Sequence, residues 1–405
     1  MTGKLVKTLL CISTAALLLA GCGKSEEVGG AIPPQPVARE RASTEAAASA
    51  AEEKKEEAAD AAAAPAAEAP KAEEPAAAPS GGGNVGVSMP TKDLQRWNQD
   101  GINIRDQLQE AGYEVDLQFA SNDVQTQIAQ IENMINNGCG CLVVAAIDSE
   151  SLGDVLGKAK SAGISVISYD RLIMGTDAVT YYATFDNYKV GTVQGTYVKD
   201  TLDLDNADGP FNIEFTAGDP GDNNAGFFFN GAYDVLKPYI DEGKLVVKSG
   251  EKTFEAVATA AWASETAQAR AEKILSSNYS GEDLDVWLCS NDSTAFGVEN
   301  ALEAVYKGKY PIVTGQDCDV ANVKNMLAGK QAMSVFKDTR TLASKTVEMV
   351  DAIMKGSEAP INDTKTYDNG TGVIPAFLCD PVFADANNYK ALLIDSGYYS
   401  ESDLQ

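Results

Sequence analysis

From Val85 onward, short apolar runs alternate with segments whose apolar residues recur at helical spacing, and this alternation constrains the fold more than any other feature of the chain. Cys141-Leu142-Val143-Val144-Ala145-Ala146-Ile147 is continuously apolar, as a parallel strand covered on both faces must be. Ile164-Ser165-Val166-Ile167-Ser168-Tyr169 reads as another strand, and it stops abruptly at Asp170-Arg171. A carboxylate accepts hydrogen bonds from hydroxyls and a guanidinium donates from a rigid fork. In an open parallel α/β sheet, ligands sit outside the carboxyl ends of the strands. The pair therefore suits a small polyhydroxylated ligand. An ordinary ion pair at a strand terminus would look the same, so recurrence along the chain has to decide.

Two series of elements follow this grammar. In the first, Trp97, Gly101, Ile104, Leu108 and Ala111 mark one helix, and Val124, Ile128, Ile131 and Ile135 mark a second that stops at Gly138. Val115, Leu117 and Phe119 alternate as a strand between them, and a helix over 152–162 leads to the strand that ends at Asp170. The second series predicts strands over 211–216, 245–248, 286–289 and 312–315, with helices over 224–239, 266–275 and 293–306. Each series is a doubly wound α/β unit. About 320 residues follow position 83, enough for two domains of ordinary size.

Before them, Lys4 and Lys7 precede the apolar run from Leu9 to Ala20, a secretory signal too short to span a bilayer as a mature helix. Leu19-Ala20-Gly21-Cys22 resembles a bacterial lipobox, which implies a signal peptide over 1–21, cleavage before Cys22 and acylation of that residue. The stretch 22–83 is rich in Ala, Glu and Pro and poor in branched and aromatic residues, so it reads as a disordered linker.

Composition excludes several functions. Net charge is −27 over 405 residues, which disfavours a groove for nucleic acid. There is no histidine, so triads built on one are excluded, and the commonest general base and transition-metal ligand are missing. Cys139, Cys141, Cys289, Cys318 and Cys379 are odd in number and fall mostly in apolar runs, which reads as small buried residues. Asp203, Asp205, Asn206 and Asp208 form no calcium ladder ending in Glu and read as a polar turn.

The polar strand ends recur. Asp222-Asn223-Asn224, Ser290-Asn291-Asp292, Gly315-Gln316-Asp317 and Phe336-Lys337 each follow a predicted strand. With Met89-Pro90, Arg96-Trp97 and Tyr169-Asp170-Arg171, in that order and spacing, they resemble the periplasmic sugar-binding proteins of the xylose and multiple-monosaccharide type, solute receptors of ABC importers. The resemblance covers 84–405. It implies the type I periplasmic binding protein fold: α/β, two Rossmann-like lobes with parallel sheets, joined by a three-segment hinge.

The implied N-terminal lobe is 84–185 with 318–338, and the C-terminal lobe is 186–317 with 339–405. The implied sugar contacts are Arg96, Asp170, Arg171, Asp222, Asn224, Asn291, Asp317 and Lys337, with Trp97 and Trp262 as aromatic plates. A sugar offers an apolar C–H face and a rim of hydroxyls, which aromatic rings and charged hydrogen-bonding groups match. Trp287, inside a strand, reads as core, and Tyr182 and Phe185 as packing residues. The implied partners are a monosaccharide of the xylose, glucose, galactose or arabinose class, an ABC permease with its ATPase, or a chemoreceptor or sensor kinase for a sensing role. The resemblance further implies a monomer anchored outside the cytoplasm by its lipid, with no cofactor, no metal and no catalysis. A glycosidase using two carboxylates is the enzymatic alternative.

Overall fold

In the computed structural model, residues 83–405 are described. The signal peptide, Cys22 and the linker up to 82 lie outside them. No helix among the described residues is long and apolar enough to cross a membrane.

In chain order the strands are β1 Asn84–Met89, β2 Glu114–Phe119, β3 Cys141–Val144, β4 Ser165–Tyr169, β5 Val179–Phe185, β6 Phe211–Thr216, β7 Leu245–Val246, β8 Val286–Cys289, β9 Ile312–Gln316, β10 Met333–Phe336, β11 Ala376–Cys379 and β12 Val382–Asp385. The α-helices are α1 Gln95–Glu110, α2 Val124–Asn136, α3 Gly153–Ser161, α4 Asn187–Thr201, α5 Asn223–Asp241, α6 Phe254–Val257, α7 Ser264–Asn278, α8 Asp292–Val305, α9 Val320–Leu327 and α10 Thr339–Met354. One six-stranded sheet has the order β11-β5-β4-β3-β1-β2 and is parallel throughout. The other has the order β12-β10-β9-β8-β6-β7 and is parallel except at its edge, where β12 runs antiparallel to β10.

Each sheet is sandwiched between helices, as parallel strands require. In the first lobe, Val85, Val87, Val143 and Ile167 pack under α1 and α10, while Leu142, Val144 and Val166 face α2 and α3. In the second lobe, Ile213, Phe215 and Leu288 pack against α5, and Trp287 and Cys289 against α7 and α8. Trp287 is fully buried, and its indole donates to Thr216 Oγ1 at 2.8 Å, so it is core. The five described cysteines are buried and unpaired.

The chain crosses between sheets at 186, at 337–338 and at 380–381. The expected lobe boundaries are corrected here. The 318–338 segment stays with the second sheet, because Met333, Ser334 and Val335 pair in parallel register with Thr314, Gly315 and Gln316. Helix α10 returns instead to the first lobe, where Leu342, Ala343, Met349 and Val350 join the core beside α1. Strand β11 completes the first sheet, and β12 with the C-terminal segment completes the second. The interchange places Lys337 in the middle of the hinge.

Helices α4 and α5 pack closely in the second lobe. A β-carbon at Gly191 would stand 2.0 Å from the Phe228 carbonyl oxygen. That backbone contact fixes α5, whose first turns carry Asn224 and Phe228 into the region between the lobes. Asp205, in the turn after α4, ion-pairs with Lys199 and accepts from Tyr239.

Candidate functional site

Strand β4 ends at Tyr169, and the next residue, Asp170, has a φ of +59°, unusual for a residue with a side chain. Neighbours over-determine that conformation. The Asp170 amide donates to Ala183 O at 2.8 Å, and its carbonyl accepts from Tyr182 Oη at 2.7 Å, Thr184 Oγ1 at 2.9 Å and Asn224 Nδ2 at 2.5 Å. The carboxylate is thereby aimed at Arg96 Nη2, 2.6 Å away, with Lys337 Nζ at 3.7 Å. Burial alone would raise its pKa, but Arg96 and Lys337 hold it down at about 2.

Arg96 comes from the first turn of α1 and divides its guanidinium among three carboxylates. Nε meets Asp100 Oδ2 at 2.5 Å, Nη2 meets Asp170, and Nη1 meets Asp317 Oδ1 at 2.9 Å. Asp100, one turn along α1, also accepts from Tyr169 Oη at 2.5 Å, and burial pushes its carboxyl up to about 6. Arg171 donates through Nη1 to Ala146 O at 2.9 Å and Ile147 O at 3.1 Å, beyond the end of β3, and Nε lies 3.0 Å from Asp222 Oδ2. Its guanidinium is 5.0 Å from the Trp97 ring centre, within cation–π range.

The facing wall belongs to the second sheet. Asp222 caps α5, accepting from Asn224 N at 3.0 Å, and takes the Trp262 indole N–H at 3.3 Å on its other oxygen. Asn291 caps α8 in a capping box with Thr294. Trp262 lies in a 3-10 turn, Ala260–Trp262, where Ala261 and Trp262 both have positive φ. Its indole lies flat on Gly218, where an added β-carbon would be 2.0 Å from the ring, and its edge meets Phe228. Asp317 and Cys318 also have positive φ, and this strained corner carries Asp317 toward Arg96 and Lys337 Nζ, the latter 3.2 Å away. Lys337 Nζ lies 5.4 Å from the Phe228 ring centre and 5.9 Å from that of Phe185.

These groups line one narrow cleft. Arg96, Trp97, Asp170, Arg171, Asp222, Trp262, Asn291, Asp317 and Lys337 are all on its wall. Asn224 is the exception among the sequence-predicted set. Its side chain is fully buried between the lobes, donating to Asp170 O and accepting from Tyr182 Oη at 3.0 Å, so it joins the walls to each other. Tyr182 likewise works through its hydroxyl beneath Asp170, and Phe185 lies beneath the two cations. Leu94, Phe228, Gln316 and Asp319 line the cleft but are not among the sugar contacts that the resemblance implies. Phe228 follows Asn224 by one helical turn, a spacing that would have placed it; Gln316 is within the Gly-Gln-Asp strand end.

The lobes meet directly, in a closed form. Ser149 N donates to Gly221 O at 2.9 Å and Asn223 N donates to Ser149 Oγ at 3.2 Å. The Arg96–Asp317, Arg171–Asp222 and Asn224–Asp170 contacts also cross the cleft. Among the described residues, no group of three or more His, Cys, Asp or Glu side chains is arranged to hold a metal ion.

The periplasmic binding protein domain matches residues 85–358. This chain belongs to the periplasmic binding protein family. Among the relatives of this periplasmic binding protein, a multiple sugar-binding periplasmic protein of Azospirillum brasilense is 51% identical over 325 residues, 79% of this chain and 91% of that protein. The D-xylose-binding periplasmic protein of Escherichia coli is 35% identical over 320 residues, 79% of this chain and 92% of that one. The crystal structure of an ABC transporter solute-binding protein from Clostridium phytofermentans with bound β-D-glucose is 70% identical, with a TM-score of 0.79 over 80% of this chain and 100% of that chain.

Proposed function

We propose that this protein captures a monosaccharide pyranose between its lobes outside the cytoplasm, without chemical change, and delivers it to the permease of an ABC importer. One observation carries this reading: paired charged groups from the ends of both sheets meet in a single cleft that also holds Trp97 and Trp262. Such a cleft offers rings to an apolar sugar face and charge-assisted hydrogen bonds to hydroxyls. The glucose-bound and xylose-binding relatives agree in substrate class.

Because the ligand-facing groups are divided between two lobes on a hinge, a sugar that touches both binds the closed form better and shifts the population toward it. The closed surface is what a permease, or a chemoreceptor or sensor kinase, would read. Acylation of Cys22 would keep the receptor at the membrane. Calorimetry with D-glucose and D-xylose tests the central claim; affinity in the micromolar range or tighter is expected, and absence of binding to every aldose tried would overturn it.

A further inference from the structure

Three consecutive amides at the end of β9 are tied to the second-lobe interior. Asp317 N donates to Val335 O at 2.8 Å, Cys318 N to Ser334 Oγ at 3.0 Å and Asp319 N to Asp292 Oδ2 at 2.8 Å. Asp292 is itself fully buried, and its Oδ1 accepts from Gln331 Nε2 and Ser334 Oγ, both at 2.8 Å. The result is a rigid corner with two positive φ values that presents two carboxyls to the cleft, Asp317 and Asp319. They differ in what they meet. Asp317 is ion-paired with Arg96 and Lys337. Asp319 Oδ1 is buried, yet it meets no hydrogen-bond donor among the described residues.

The cations nearby are paired with other carboxylates. Arg96 already uses Nε on Asp100, Nη2 on Asp170 and Nη1 on Asp317, and Lys337 Nζ lies between Asp317 and Asp170. A buried polar atom without a partner is costly, and in a residue that lines a ligand cleft the ligand is the group able to supply one. We propose that Asp319 is a further sugar-contacting residue, its carboxyl hydrogen-bonding one hydroxyl of the bound aldose and so selecting among epimers at that carbon. The proposal rests on the sugar-capture reading and adds to it a residue outside the motif set that the sequence resemblance picks out.

Protonation fits this role. The charged and titratable groups that face Asp319 are Asp317 and the buried Cys318 thiol beside it, Asp292 at its amide, Arg96 across the cleft and Tyr399 from the C-terminal segment. Burial, then the Asp317 carboxylate, push its carboxyl up to about 7, against the pull of Arg96. A sugar covering the group removes more water and favours the neutral form further. The bound state therefore holds more protons than the free one, so affinity is full below pH 7 and declines as pH rises through it.

The test is calorimetry on the full chain, comparing the unsubstituted protein with Asp319→Asn and Asp319→Ala, against D-glucose, its epimers and its monodeoxy analogues, at pH 5.5 and 8.5. Asp319→Ala is expected to weaken D-glucose binding at pH 5.5 about tenfold, the effect of leaving one buried hydrogen bond unmade. The deoxy analogue lacking the partner hydroxyl should bind both proteins equally. The unsubstituted protein should lose affinity from pH 5.5 to 8.5, and Asp319→Asn, which cannot ionise, should lose much less. Should Asp319→Ala fail to give a cooperative unfolding transition, the flattened pH profile of Asp319→Asn carries the test. Unchanged affinity in both variants, or uniform weakening across the panel with the pH dependence intact, overturns the assignment. An unsubstituted protein that binds no aldose overturns the sugar-capture reading itself, a result distinguishable from the others because it needs no variant.

Discussion

On the first-lobe wall, Arg96, Asp100 and Asp170 hold one another by side-chain ion pairs, with Tyr169 as a further donor. On the second-lobe wall, Asp222 and Asn291 are held by the backbone amides they cap, and Asp317 by a strained corner anchored from below. The first wall is an electrostatic network centred on Arg96, whose guanidinium pairs with each carboxylate of that wall. The second is a set of backbone-fixed groups, each set in place by its own helix or turn. A substitution in the first should therefore propagate, and one in the second should stay local.

The largest effect is expected at Arg96. Arg96→Ala leaves three buried carboxylates without the guanidinium they share, and removing one partner of a buried pair typically costs about 3–5 kcal/mol. Urea unfolding should register that loss and calorimetry should find no sugar binding. Stability close to that of the unsubstituted protein would mean the network is not what holds the first wall.

Next come Asp170→Ala and Arg171→Ala. Each removes one partner of a charged contact within the cleft, at about 2–5 kcal/mol, or roughly 30-fold or more in affinity. Asp170→Ala keeps the carbonyl that Tyr182, Thr184 and Asn224 grip, so its affinity loss should exceed its stability loss. Wild-type affinity in both variants would move the site elsewhere.

Asn291→Ala provides the contrast on the second wall. Its side chain accepts from Thr294 N at 3.0 Å, and losing such a cap costs about 1 kcal/mol of stability. Sugar affinity should fall too, since Asn291 lines the cleft, but the Arg96 network should keep its geometry. A stability loss as large as that of Arg96→Ala would erase the distinction between the walls.

How far the sequence foresees this arrangement follows from how local each signal is. The apolar run 141–147 and the alternation at 115, 117 and 119 place strands because a buried strand must be apolar wherever it is covered. Strand ends carry Asp170, Arg171, Asp222, Asn291 and Asp317 to the cleft because a parallel sheet opens all its carboxyl ends on one side. The interleaving of lobes is not local. The apolar face of α10, with Leu342, Ala343, Met349 and Val350, would cover either sheet, and only the pairing of β10 with β9 sends it back to the first lobe. Asn224 is legible as polar and near the site, but its turn inward to Asp170 O depends on how closely the lobes approach. Asp319 carries no sequence signal at all, since its importance comes from where Arg96 and Lys337 are already engaged.

The smallest effect tests whether the first wall is self-contained. The C-terminal segment belongs to the second lobe, where Leu393 and Tyr399 pack with Val323 and Phe336. Yet Tyr399 Oη accepts from Gln95 Nε2 at 2.7 Å and Gln99 Nε2 at 3.1 Å, both on α1 beside Arg96, while donating to Cys318 O at 2.9 Å. Gln95 Oε1 accepts from Val320 N at 3.1 Å, so the first turn of α1 is tied to the 317–320 corner twice. One hydroxyl thus joins the ion-paired wall to the backbone-fixed wall in the closed form. Tyr399→Phe keeps the ring and its packing and deletes that junction, at about 1 kcal/mol, or roughly fivefold in affinity if the bonds exist only when the lobes are closed. Stopped-flow release of sugar should quicken by a similar factor while the unfolding midpoint of the sugar-free protein barely moves. The opposite pattern, an unchanged release rate with a lowered midpoint, would place the junction in both open and closed forms and make the first wall dependent on the second even without sugar.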